Sequence, residues 1–290
     1  MYTSSRNLRQ RARPLATRPV GRSRGLRLII ALALAACAII SFFSSKVYNP
    51  ITGEDQYLNI TEEQEIALGL QAAPEMARQY GGLDPDPRAQ DLVDAVGQRL
   101  VAKSVASQTD YPFEFHLLAD PDTINAFALP GGQVFITDGL LTRLQSEGQL
   151  AGVLAHEIVH VLARHGAQRI AKQELTQGLT GAVVLATYDP NDPRSQTTTQ
   201  IALLIGGLVN MKYGRTDELQ SDSLGVSVMS EAGYDPRAML GVMQILDEAT
   251  AGARPPEFFS THPNPENRLQ RIQEAIQQYF PDGVPAGLTP

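Results

Sequence analysis

Five residues, His156-Glu157-Ile158-Val159-His160, constrain this chain more than any others. On an α-helix, residues four apart project from one face, about 40° apart around the axis, so the two imidazoles can hold one metal ion between them. Glu157 lies one step around from His156, where a carboxylate can take a proton from a metal-bound water without being a ligand. The same pattern also occurs in helices whose histidines merely pack, so the flanking sequence decides. Ser146-Glu147-Gly148-Gln149 has capping-box spacing, and Leu150, Val153, Leu154, Ile158, Val161 and Leu162 follow at helical intervals. The motif therefore belongs to a buried helix. Burial favours a metal, because two core histidines and a core glutamate would otherwise each need separate hydrogen-bond partners.

A catalytic metal of this type needs a third protein ligand and an open position. His165, five residues past His160, is expected about 140° away around the same helix, where it makes an ordinary polar contact and cannot close the site. A glycine and a histidine at positions 163 and 166 would signal a third histidine ligand of metzincin type, but Ala163 and Gly166 stand there. Glu218 is the better candidate. It pairs with Asp222 at i and i+4 on a predicted helix running to about Ala232, so that one carboxylate can bind metal while the next holds the outer nitrogen of a ligand histidine. Taken without the histidine helix, the pair reads as a solvated acidic face.

Three segments, LAHEIVHVLARH (Leu154 to His165), DELQSDSLGVSVMSEAGYDP (Asp217 to Pro236) and STHPNPENRL (Ser260 to Leu269), together resemble the gluzincin metallopeptidases of metallo family forty-eight. NAFALPGGQVFITDGLL, Asn125 to Leu141, is similar to the stretch that precedes the metal helix in that family. The resemblance covers about Asn49 to Phe280. It implies an α+β fold, a mostly helical zincin-like domain with a small sheet beside the histidine helix. It also implies one zinc ion held by His156, His160 and Glu218, with Glu157 as general base and Asp222 as outer partner of a ligand histidine. The activity implied is endopeptide hydrolysis of extended or misfolded envelope polypeptides. The alternative in another class is a chaperone or assembly factor that binds extended polypeptides with latent or no proteolysis.

His262 sits in a loop between a helix starting near Asp235-Pro236 and another starting at Asn264-Pro265, each with proline in its first turn. Such a histidine can donate to the oxyanion of a tetrahedral intermediate, or bind the zinc as a fourth ligand and hold the enzyme latent. His116 falls in the alternating run Phe113 to Leu117 and is read as a structural residue. Phe113 to Leu118 and Gln133 to Thr137 read as short strands around the Pro130-Gly131-Gly132 turn. The resemblance adds that an edge strand beside the metal can pair with an extended peptide.

Charge divides the chain. Residues 1–53 hold eight arginines, Lys46 and no acid; of the 24 basic residues this leaves 15 against 31 acidic ones, a formal net charge of −16 for the remainder. Nucleic-acid binding by the acidic part is therefore disfavoured, and the basic arm is better explained by membrane topology. Leu28 to Phe43 is an uncharged apolar run of 16 residues, extended by Ser44 and Ser45, between Arg27 and Lys46. This gives a basic cytoplasmic arm (1–27), a transmembrane anchor (28–45), a linker (46–59), a metallopeptidase domain (60–280) and a flexible tail (281–290), with the domain on the periplasmic side of a bacterial inner membrane. Leu34-Ala35-Ala36-Cys37 also matches a lipoprotein-processing site, and the arginine-rich start also fits a mitochondrial presequence ahead of an inner-membrane anchor. Polypeptide substrates and the membrane are the expected partners; oligomeric state is not legible. Two apolar runs, Leu179 to Tyr188 and Ile201 to Met211, are each too short to span a bilayer, and are expected to pack on the core or to form a hairpin over the site or on the membrane surface.

Overall fold

The computed structural model describes residues 21–187, 213–250, 256–264 and 267–290. In chain order these form α1 (Gly21–Ser44), a hairpin of β1 (Lys46–Asn49) and β2 (Glu54–Tyr57), α2 (Glu62–Gln79), α3 (Pro87–Lys103) and a 3-10 turn (Val105–Gln108). Then come β3 (Glu114–Leu118), β4 (Ala126–Leu129), β5 (Gln133–Thr137), α4 (Asp138–Leu141), α5 (Glu147–Leu162) and α6 (His165–Thr187). The described chain ends with α7 (Arg215–Glu231), α8 (Ala238–Thr250), α9 (Phe258–Thr261) and α10 (Arg268–Tyr279). The architecture is α+β and mostly helical, as the resemblance implies.

A helix that is apolar on every side must be enclosed by its neighbours, and every residue of α5 from Leu150 to Leu162 is buried. The sheet, α3, α7 and α8 enclose it. Ser146 caps it by accepting from the Gln149 backbone N–H. The reciprocal half of the box is missing, because the Gln149 side chain accepts instead from the Gln145 N–H at 2.6 Å. The box at Thr61 and Gln64 is complete and starts α2.

The three-stranded sheet has the order β3-β5-β4, with β5 central, parallel to β3 and antiparallel to β4. The Pro130-Gly131-Gly132 turn thus joins β5 to β4, a strand the sequence conceals because Ala126-Phe127-Ala128-Leu129 shows no alternation. Gly131 adopts φ 86°, and an added Cβ would sit 2.4 Å from the Ile66 Cα, so α2 lies directly on this turn.

Gly25–Ser44 is long and apolar enough to cross a membrane, the one such helix among the described residues. It packs along α6, so closely that a Cβ on Gly178 would approach that of Ala38 to 2.7 Å. The first apolar run, within α6 as far as Thr187, therefore lies beside the anchor and not over the site; the run from Ile201 to Met211 is outside the described residues.

Two stretches read as unstructured are ordered by hydrogen bonds that composition does not announce. The linker is the β1–β2 hairpin, whose buried Asn49 and Gln56 donate to the carbonyls of Leu162 and Ala163 at 2.9 Å each, satisfying the end of α5. The flexible tail is pinned: Pro290 O accepts from Gly148 N, and Thr289 exchanges hydrogen bonds with Gly233 and Asp235. Replacing Asn49 with alanine leaves the buried Leu162 carbonyl without its partner, and a loss of about 1–3 kcal/mol is expected in chemical denaturation; unchanged stability would show that water replaces the amide.

Candidate metal centre

The helix α5 turns His156, Glu157 and His160 toward α7, which crosses it and buries Glu218 and Asp222 completely or nearly so. His262 enters from the end of α9, its own N–H donating to Phe258 O at 2.8 Å and its ring stacked on Phe258. These three elements bring the sequence-predicted residues together.

The donor atoms enclose a small space. His156 Nε2 lies 3.0 Å from His160 Nε2, 3.4 Å from His262 Nδ1 and 3.4 Å from Glu218 Oε2. Glu218 Oε1 lies 3.2 Å from His262 Nδ1 and 3.5 Å from His160 Nε2. Metal bonds of about 2.0–2.1 Å in tetrahedral array set their donors roughly 3.3–3.4 Å apart. Taking the nearer Glu218 oxygen in each case, the separations of 3.0–3.5 Å lie near that value and the whole set lies within 4.8 Å, so the residues present fit one ion held by three nitrogen donors and the Glu218 carboxylate, whose Oε2 has no hydrogen-bond partner among the described residues.

Charge supports the same fit. Glu157, Glu218 and Asp222 are buried here with Arg268, so among the described residues the carboxylates outnumber the guanidinium by two, a surplus that imidazolium or a bound cation can offset. Burial alone would depress the His156 imidazolium, yet hydrogen bonds to Asp222 and Glu218 outweigh it and hold its pKa up at about 9. Burial raises Glu157, against the nearby histidines. For Glu218 and Asp222 burial is overcome in the other direction, by His156 and His262 for the first and chiefly by Arg268 and His156 for the second, so both stay ionised. His160 is pushed well below the ordinary histidine value by burial and then by the neighbouring positive charges, which leaves a neutral ring.

Around the donors lies a ring of supports. Asp222 Oδ1 accepts from His156 Nδ1 at 2.9 Å, and Arg268 grips Asp222 with two bonds of 2.7 and 2.9 Å. His165 Nδ1 is 3.0 Å from His160 Nδ1. This corrects the expectation that His165 points away: α5 stops at Leu162 and Arg164 takes a left-handed conformation, φ 53°, held by Glu65 at 3.1 Å and Ile60 O at 3.0 Å. That reversal swings His165, the first residue of α6, back against His160. Tyr213 lies over the His160 ring at 4.2 Å. Arg268 and Tyr213 escaped the sequence reading because nothing in their spacing ties them to the histidine helix. His116 is remote, bonded to Gln133 at 2.8 Å and stacked on Phe135, as a structural residue.

Beside the donors runs a groove of about 430 Å³ lined by β4, α2, α6, Tyr213 and Thr261. A larger cavity, about 620 Å³, is lined by residues of α1 and α6, Leu34 and Ala182 among them, and by none of the histidines.

A histidine pair on one buried helix and a glutamate on a second that crosses it define a gluzincin-type metal site. The sequence profile of peptidase family M48 matches residues 87–276, and the chain belongs to that family. It is 34% identical over 225 residues to the beta-barrel assembly-enhancing protease of Escherichia coli, covering 74% of this chain and 45% of that one. It is 32% identical over 251 residues to the mitochondrial metalloendopeptidase OMA1 of Schizosaccharomyces pombe, covering 85% and 71%. A further relative, the mitochondrial metalloendopeptidase OMA1 of Bos taurus, is 28% identical over 83% of this chain and 48% of its own length. The chain spans about half the length of the beta-barrel assembly-enhancing proteases it matches.

Replacing Arg268 with leucine removes two of the three hydrogen bonds described at the buried Asp222 carboxylate and leaves it His156 alone, and a loss of about 3–5 kcal/mol is expected in denaturant titration. A loss under 1 kcal/mol would mean that His156 alone compensates Asp222.

Proposed function

We propose that this chain is a membrane-held zinc endopeptidase of extended or misfolded polypeptides, with His156, His160 and Glu218 as zinc ligands and Glu157 as general base. One observation carries the reading: the tetrahedral spacing of the buried donors on α5, α7 and the loop after α9. Zinc bound there would supply a Lewis acid that polarises the scissile carbonyl and acidifies water. Both oxygens of Glu157 are buried without a hydrogen-bond partner, as suits a carboxylate kept for a proton. Glu157 takes the proton of the attacking water and returns it to the amine as the C–N bond breaks. Asp222 accepts from His156 Nδ1, which would make Nε2 the nitrogen offered to zinc, while Arg268 holds Asp222 ionised.

Among the described residues β4 pairs with β5 alone, and its Phe127, Ala128 and Leu129 line the groove. An extended polypeptide laid along it would be read mainly through its backbone, which favours unfolded segments over any one sequence. The arginine-rich arm ahead of α1 supports a reading in which the arm stays in the cytoplasm and the peptidase domain lies in the periplasm.

For His262 the distances favour the latent role. Its Nδ1 lies 3.4 Å from His156 Nε2, where it would serve as a fourth donor to a bound zinc, and its Nε2 faces Glu157 Oε1 at 3.7 Å. One ring would thus take the place of the water and stand against the base. Activation requires His262 to leave both.

Glu157→Gln is expected to retain stoichiometric zinc and abolish casein cleavage, whereas Glu218→Gln should weaken zinc binding as well; full activity in the first, or full zinc retention in the second after dialysis against a chelator, would overturn the assigned role. His262→Ala is expected to raise basal cleavage. A fall of roughly a hundredfold with zinc still bound would instead mark an oxyanion donor, and activity equal to the parent on an unstructured substrate would exclude both roles.

A further inference from the structure

A metal-binding imidazole must present a bare nitrogen, and which of its two nitrogens is bare depends on what the other one meets. For His156 the answer is local, since Asp222 can only accept and so requires the proton on Nδ1. At the outer nitrogen of His160 no carboxylate stands among the described residues. Its Nδ1 meets His165 Nδ1 at 3.0 Å, and an imidazole there can donate or accept. Something further out must settle the sense.

The contacts continue in one line. His165 Nε2 is 2.9 Å from Gln220 Oε1, and Gln220 Nε2 donates to Glu54 Oε2 at 3.1 Å. Gln220 stands on α7 between the ligand Glu218 and Asp222; Glu54 is exposed at the start of β2, ten residues past the end of α1. Glu54 accepts only, so it draws the amide nitrogen of Gln220 toward itself and turns the amide oxygen toward His165. That oxygen accepts only, so His165 carries its proton on Nε2 and leaves Nδ1 bare. The bare Nδ1 accepts from His160, whose proton is thereby held on Nδ1, and His160 Nε2 is left with its lone pair facing the other donors. Ser221 Oγ, 3.5 Å from the same His165 nitrogen, can donate to it without changing the sense.

We propose that Glu54, Gln220 and His165 are positioning residues, a relay that selects the tautomer of His160 from the surface of the β1–β2 hairpin. The relay rests on the reading of His160 as a zinc ligand. It makes an unusual claim about an exposed residue far from the metal: the sign of the charge at position 54 sets whether His160 can bind. A lysine there can only donate. It draws the Gln220 oxygen to itself and turns the amide nitrogen to His165, which then holds its proton on Nδ1 against His160 Nδ1. His160 must give up that proton and carry one on Nε2, where zinc would bind.

The test measures Zn²⁺ affinity of the full-length protein in detergent, by competition with a chelating dye, beside the thermal denaturation of each metal-free form. Glu54→Lys is expected to weaken Zn²⁺ about tenfold and Gln220→Leu about ten- to a hundredfold, the range for loss of an outer partner of a ligand histidine. Gln220→Glu, which can only accept, should keep near-parental affinity. The deciding variant is Glu54→Lys combined with Gln220→Glu: a carboxylate at 220 cannot invert, so affinity should return to near the parental value although the lysine remains. An equal loss in Glu54→Lys with and without Gln220→Glu would overturn the relay, as would parental affinity in Gln220→Leu. His160→Ala separates the two levels. Parental affinity there would sink the ligand reading and the relay with it, while a large loss there beside parental affinity in Gln220→Leu would sink the relay alone.

Discussion

Three carboxylates and one guanidinium are buried beneath α5, and the surplus negative charge is the condition to which every neighbouring element answers. Charges taken out of water are tolerated only when paired, hydrogen-bonded or bound to metal. Arg268 balances one of the three charges through Asp222 and sends a second nitrogen to within 3.5 Å of Glu218. The rest falls on the imidazoles and on whatever cation they enclose. A centre of this kind cannot be dismantled one residue at a time, because each removal leaves a charge stranded in a place without water.

What could be read from the residues was whatever one helix displays alone. His156, Glu157 and His160 follow from a spacing of four on a helix with an apolar stripe, and the Thr61 box from a local pattern of four residues. Glu218 and Asp222 needed the family resemblance to separate them from an acidic surface, and the burial of both settles that they are not one. His165 was misplaced for a definite reason. The assumption of a continuous helix fails at Arg164, whose left-handed backbone is stabilised by Glu65 from α2, a partner 99 residues earlier. Arg268 and Tyr213 reach the site from across loops, and long-range proximity leaves no periodic trace. The hairpin and the docked tail escaped notice for a related reason, as their order comes from backbone and amide hydrogen bonds to distant carbonyls.

The resting arrangement has a thermodynamic side. His262 is fully buried, stacked on Phe258, and placed among the donors, so leaving that position forfeits several contacts at once. The groove along β4 lies next to it, lined in part by Thr261, the residue immediately before this histidine. Occupation of the groove and displacement of the histidine therefore act on the same short piece of chain, which is how a bound polypeptide could bias one against the other through differential affinity.

Between the apolar helix and the metal-bearing one there is no slack. Phe42 stacks on Tyr57 at 4.7 Å, Lys46 pairs with Asp55, and the hairpin they brace is itself bonded to the last carbonyls of α5. A peptidase on a loose tether sweeps a volume. On the proposed reading, with α1 in a bilayer, one mounted like this would patrol a plane at constant elevation above the lipid, and selection among its substrates would begin as a matter of altitude, before any side chain is read.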